Sequence, residues 1–176
     1  MTHRAFAFDY AAFAAELRPL LLGALETNES EPLAAWIDRE REHLTDPYEG
    51  EPLPQSWRSL LEVGDVHEHG DFALTKYYDS DLDIGLDEAF EDIADLLEGS
   101  GSTGAFTLGE PLGPEEAPFD PSRQGAYFQT EAEIAAALAE VRVLLAREPS
   151  LKEPLSPLEG MLGQAARQKK GLYVTL

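Results

Sequence analysis

The chain has 176 residues, 34 of them acidic against 13 Lys and Arg, for a formal net charge of −21. A chain of that size buries roughly 70% of its unfolded surface around one core, so neither a metal nor a disulfide is needed for folding. The charge excludes nucleic acid and anionic membranes as attractive ligands, and the absence of cysteine excludes disulfides, thiolate metal sites and a cysteine nucleophile.

The first thirty residues interrupt their apolar positions with Asp9, Glu16 and Arg18, and no uncharged hydrophobic core precedes a small-residue cleavage site. A secretory signal is therefore not expected, and no run reaches the roughly 18 apolar residues that span a bilayer. A cytoplasmic protein with no membrane partner is the expectation. Asn occurs once and Lys four times amid abundant Ala, Leu, Gly, Pro and Arg, the bias of GC-rich bacterial genes. A halophile would share that bias, which gives the acidity a proteome-wide reading beside a local one.

In chain order, Phe13, Leu17, Leu20, Leu21 and Ala24 recur at helical intervals across Asp9 to Leu25, with Pro19 kinking the segment or restarting it. Ser30-Glu31-Pro32 reads as a cap with proline in the first turn, followed by a helix through Leu33, Trp36, Ile37 and Leu44. Thr45 to Pro54 reads as a surface connection, and Gln55 to Val63 as a short helix presenting Trp57, Leu60 and Leu61. Asp71 to Tyr78, aromatic and alternating, predicts a strand. From Asp87 a helix is predicted with Phe90, Ile93, Leu96 and Leu97 on its buried side and Asp87, Glu91, Asp95 and Glu98 on another.

Ser100 to Thr103 reads as a break and Ala105 to Leu108 as a short strand. Residues 109–123, with four prolines and four acids, predict an extended, mobile loop. Thr130 and Glu133 form a capping-box pattern ahead of a helix with the stripe Ile134, Leu138, Val141 and Leu145. Ser156 starts a shorter helix through Leu158, Met161, Leu162 and Ala165, and Leu172 to Leu176 predict a terminal strand. The sum is an α+β fold, a helix-rich single domain over residues 1–176 with a small sheet of about three short strands.

The densest feature is the stretch from Asp79 to Glu98, which holds nine carboxylates and no Lys, Arg or His. Its opening residues Asp79, Asp81 and Asp83 resemble the first ligands of an EF-hand calcium loop. The sixth position is then Ile84, with the glycine one residue late at Gly85, and the twelfth is Phe90, beside Glu91. The words Ser80-Asp81-Leu82-Asp83-Ile84-Gly85-Leu86 also resemble the metal-binding strand of the nucleotidyltransferase superfamily. That resemblance implies Asp81 and Asp83 as magnesium ligands for phosphoryl chemistry. It covers seven residues, and where the family carries a Gly-Ser pair upstream the chain reads His69-Gly70-Asp71.

His67-Glu68-His69-Gly70-Asp71 places two imidazoles and two carboxylates within five residues, and a strand would put His67 and His69 on one face as nitrogen ligands for a metal. No Gly-x-Ser-x-Gly elbow or phosphate loop is present, so no catalytic residue is assigned. Tyr77, Tyr78, Tyr127 and Phe128 are expected in the core, with wet tyrosine hydroxyls.

Two functional expectations follow. The first is a non-catalytic acidic binding protein, without cofactor, that engages a basic protein partner through Asp79, Asp81, Asp83, Asp87, Glu91, Asp95 and Glu98. It resembles bacterial immunity proteins and acidic inhibitors in size and charge. The second is a metal-dependent enzyme or divalent-cation-binding protein using Asp79, Asp81 and Asp83 with His67 or His69.

Overall fold

A computed structural model describes residues 2–101 and 106–176. At its centre is a three-stranded antiparallel sheet formed by β1 (Arg4–Phe8), β2 (Ala126–Gln129) and β3 (Gly171–Thr175) in the order β1-β3-β2. Alternation along the strands sorts their side chains. Phe6, Phe8, Phe128 and Tyr173 join one hydrophobic cluster, whereas Ala5, Leu172 and Val174 join the other. Register places Tyr173 opposite both Phe6 and Phe128, so an aromatic row crosses the sheet, with Tyr173 and Phe128 stacked at 5.1 Å.

Helices α1 (Tyr10–Glu16), α2 (Arg18–Thr27), α3 (Glu31–Glu40) and α4 (Val66–Leu74) contribute to the aromatic cluster. Helices α5 (Phe90–Gly99), α6 (Glu131–Arg147) and α7 (Ser156–Arg167) contribute to the aliphatic one. The protein is therefore a helix-rich α+β fold, with helices on both faces of a small sheet.

Several elements lie where local pattern places them. Asp9 caps α1 by accepting from the Ala12 N–H, and the helix breaks at Leu17 because Pro19 sits in the first turn of α2. The predicted capping box is present: the Glu133 N–H donates to Thr130 Oγ1 at 3.2 Å, and the Thr130 N–H donates to Glu133 Oε2 at 2.7 Å. Thr130→Ala should lower folding stability by about 1 kcal/mol. A denaturant midpoint unchanged from wild type would show that the cap does not matter.

The strand predicted for Asp71 to Tyr78 is not formed. Residues 66–74 are α4, started by the Asp65 carboxylate accepting from the His67 and Glu68 N–H groups. Every residue from His69 to Leu74 is buried, so no polar face remains to reveal a helical period. Conversely, β1 and β2 occupy segments to which the pattern assigns no strand. Of the strand expected over 105–108, Ala105 lies outside the described residues, and 106–108 form no strand; Ser102 and Thr103 of the expected break also lie outside. Within 109–123, Leu112 and Phe119 are buried, and the Phe119 N–H donates to the Leu112 carbonyl at 2.7 Å.

Both open edges of the sheet are covered. Glu110 exchanges backbone hydrogen bonds with Phe128 beside β2. Along β1, the Ile84 N–H donates to the Ala5 carbonyl at 2.8 Å and the Asp87 N–H to the His3 carbonyl at 3.0 Å. Residues 83–87 thus lie against β1 as a short edge segment. His3 locks it: its Nδ1 accepts from the Leu86 N–H, its Nε2 meets the Thr107 carbonyl at 2.6 Å, and its ring stacks on Phe90. Burial pushes the His3 pKa down, in keeping with a neutral imidazole that accepts at one nitrogen and donates at the other.

Candidate functional site

The acidic stretch divides into two parts by position. Asp83 belongs to the fold: its Oδ1 accepts from the Ala5 and Gly85 N–H groups at 3.1 and 2.9 Å, and its Oδ2 pairs with Arg4 Nε at 2.9 Å. Asp79 Oδ1 accepts from the Asp81 N–H, a local turn bond, while the Asp81 carboxylate lies close to Gly50, whose φ is 70°. Asp79, Asp81 and Asp83 line a recess of about 320 Å³ with Gln164, Gln168 and Lys170.

The remaining carboxylates of the stretch stand apart from that recess. Asp87 adopts φ 53° ahead of α5, and Glu91, Asp95 and Glu98 are exposed along the helix at intervals of four and three. Ile93 and Leu97 are buried on the opposite side. Asp92 and Asp95 share the lining of an open groove of about 510 Å³ with Ala89, Ile93, Leu96 and Pro154.

The histidines do not meet. Because residues 66–74 are helical and not extended, positions two apart point to different sides. His67 Nδ1 accepts from the Asp120 N–H at 3.1 Å and stacks on Phe119, whereas His69 Nδ1 contacts the Asp65 carbonyl at 2.6 Å and its ring meets Trp57. Among the described residues no group of three or more His, Asp or Glu side chains is placed to hold a metal ion.

The arrangement least visible in the sequence is a small recess on the aromatic side of the sheet. Asp71, from α4, is only 7% exposed and forms part of the lining. Its Oδ1 accepts from the Tyr173 hydroxyl at 3.4 Å, and the Tyr48 hydroxyl is its other phenolic partner. Phe6, Tyr78 and Tyr173 supply ring walls, and Arg4 also lines the recess, whose volume is about 100 Å³. Burial pushes the Asp71 carboxyl up to about 6, against the pull of the two phenols. Burial also raises the Tyr78 and Tyr173 hydroxyls well above their usual range, so both phenols are neutral at physiological pH. A buried carboxyl among phenols is the kind of environment that functional sites use.

Within the pentad His67 to Asp71, the imidazoles face different neighbours and Asp71 is the buried carboxyl that lines the recess. The signal available was a lone acid directly before the apolar run Phe72-Ala73-Leu74. Comparison with protein-family models, with curated proteins and with solved structures gives no match.

Proposed function

We propose that the protein is a non-catalytic binding protein that engages a basic protein partner through the carboxylate face of α5 and the turn before it, in the manner of acidic immunity proteins and inhibitors. One observation carries this reading. Asp87, Glu91, Asp95 and Glu98 are all exposed, and among the described residues none of them has a basic side chain within ion-pair distance.

Elsewhere, besides Arg4 on Asp83, four of the chain's thirteen Lys and Arg side chains form ion pairs among the described residues. Arg58 pairs with Glu31 and Asp38, Lys76 with Glu16 and Glu40, Arg142 with Glu159 and Arg147 with Glu148. The row on α5 and the turn before it sets unpaired carboxylates at helical spacing on one face, an arrangement that speeds capture of a cationic surface and orients it. The adjoining groove adds apolar contact area from Ala89, Ile93, Leu96 and Pro154 beside Asp92 and Asp95. No equivalent geometry supports the metal reading, since Asp83 is taken up by backbone amides and His67 and His69 face different neighbours.

The test is a triple variant, Asp87→Lys, Glu91→Lys and Asp95→Lys. All three side chains are exposed, so circular dichroism and melting temperature should match wild type. Direct titration of a basic protein captured on immobilised wild type should show affinity weakened about 100-fold, three lost pairs at roughly 1 kcal/mol each. Equal affinity for wild type and variant would refute the assignment.

A further inference from the structure

The geometry points to the recess floored by Asp71 as a binding site for a primary ammonium group, carried on a small alkylamine or on a lysine side chain. This does not rest on the α5 reading, since the recess lies on the other side of the sheet.

Asp71 is buried with neutral hydroxyls as its hydrogen-bond partners, and among the described residues no cation lies within ion-pair distance of it. A buried carboxylate is costly until it gains a proton or a positive partner. The surroundings favour a positive one. Asp46 and Glu68 add negative potential at Asp71, while Arg4, the basic residue of the lining, has its Nε bound to Asp83.

The walls suit a cation as well. Phe6, Tyr78 and Tyr173 line the recess, and the Arg4 guanidinium, 5.0 Å from the Phe6 centroid, is a cation already held against one of these rings. An ammonium is chosen over a guanidinium by donor geometry. The Asp71 carboxylate and the Tyr48 and Tyr173 oxygens offer a compact set of acceptors for three tetrahedral N–H donors, whereas a guanidinium presents a flat fork. A volume of about 100 Å³ holds such a head group with part of its stem.

The test is calorimetric titration of the full chain at about pH 7.5, above the Asp71 titration, with n-butylamine, N-acetyl-lysine methylamide and, as neutral control, n-butanol. Saturable binding with millimolar dissociation constants is expected for at least one amine, with the alcohol at least about tenfold weaker. Binding of butylamine alone assigns the site to free amines, and binding of the lysine compound assigns it to a side chain. Asp71→Asn keeps the shape and removes the charge, so it should fold and lose binding at least about tenfold, while Tyr48→Phe should weaken it several-fold. The proposal is overturned if neither amine saturates, if butanol binds as tightly, or if Asp71→Asn binds like wild type.

Discussion

Gly85→Ala is expected to cost roughly 3 kcal/mol or more of folding stability, an unusually large effect for one added methyl group. A Cβ at position 85 would stand 2.3 Å from the His3 carbonyl oxygen and 2.8 Å from the Ala5 nitrogen, and both are backbone atoms that cannot swing aside. Relief requires lifting residues 83–87 from β1. That breaks the Ile84-to-Ala5 and Asp87-to-His3 hydrogen bonds, at about 1 kcal/mol each, and exposes the apolar side chain of Leu86. Gly23→Ala is the control: it lies within α2 with nothing within 4 Å of an added Cβ, and should stabilise by about 0.5–1 kcal/mol. Chemical denaturation of the pair decides the matter, and a loss below about 1 kcal/mol for Gly85→Ala would mean that the edge segment is not held as described.

Asp71→Asn is expected to be more stable than wild type at neutral pH by about 3 kcal/mol, and the advantage should vanish in acid. The sign follows from the proton balance. The folded-state carboxyl titrates at about 6 and the ordinary value is 3.8, so between the two the folded protein holds a proton that the unfolded chain has lost. Wild-type stability therefore falls as pH rises through that window and then levels off. Asparagine mimics the protonated acid and shows no such fall. Depressed carboxyls elsewhere, such as Glu16 beside Lys76 and Asp38 beside Arg58, act in the opposite sense, but they are common to both proteins and cancel in the difference. Stability curves measured in parallel from about pH 4 to 8 provide the check. A constant difference, or a wild type that is the more stable form at neutral pH, would show that Asp71 is not the buried acid described.

Elements whose determinants sit within a few residues of one another were legible from local pattern. The capping box of Thr130 and Glu133, the stripe from Ile134 to Val141 and the core residues of α7 all follow from i, i+3 and i, i+4 spacing, which a linear chain displays directly. The exposed carboxylates of α5 were legible for the same reason, as the complement of Ile93 and Leu97. Where burial is complete that contrast disappears: α4 has no wet face between His69 and Leu74, and the accidental alternation of Phe72 to Tyr78 suggests a strand in its place. The sheet was legible in class and strand number, but only β3 was located, because Phe6 finds Tyr173 across most of the chain length.

By itself the chain's order of residues determined a helix-rich α+β fold, a strongly negative surface and a helix with carboxylates on one side and core on the other. These depend on composition and short-range periodicity, which need no partner segment to be expressed. Only the tertiary structure decided what individual acids do. Asp83 became a backbone acceptor because the free edge of β1 lies beside it, and Asp71 became a buried carboxyl because Tyr173, 102 residues away, and Tyr48, on the loop after α3, close over it. The same side chain is a solvated charge or a desolvated one according to which distant segments pack against it, and that choice is made by burial and long-range pairing.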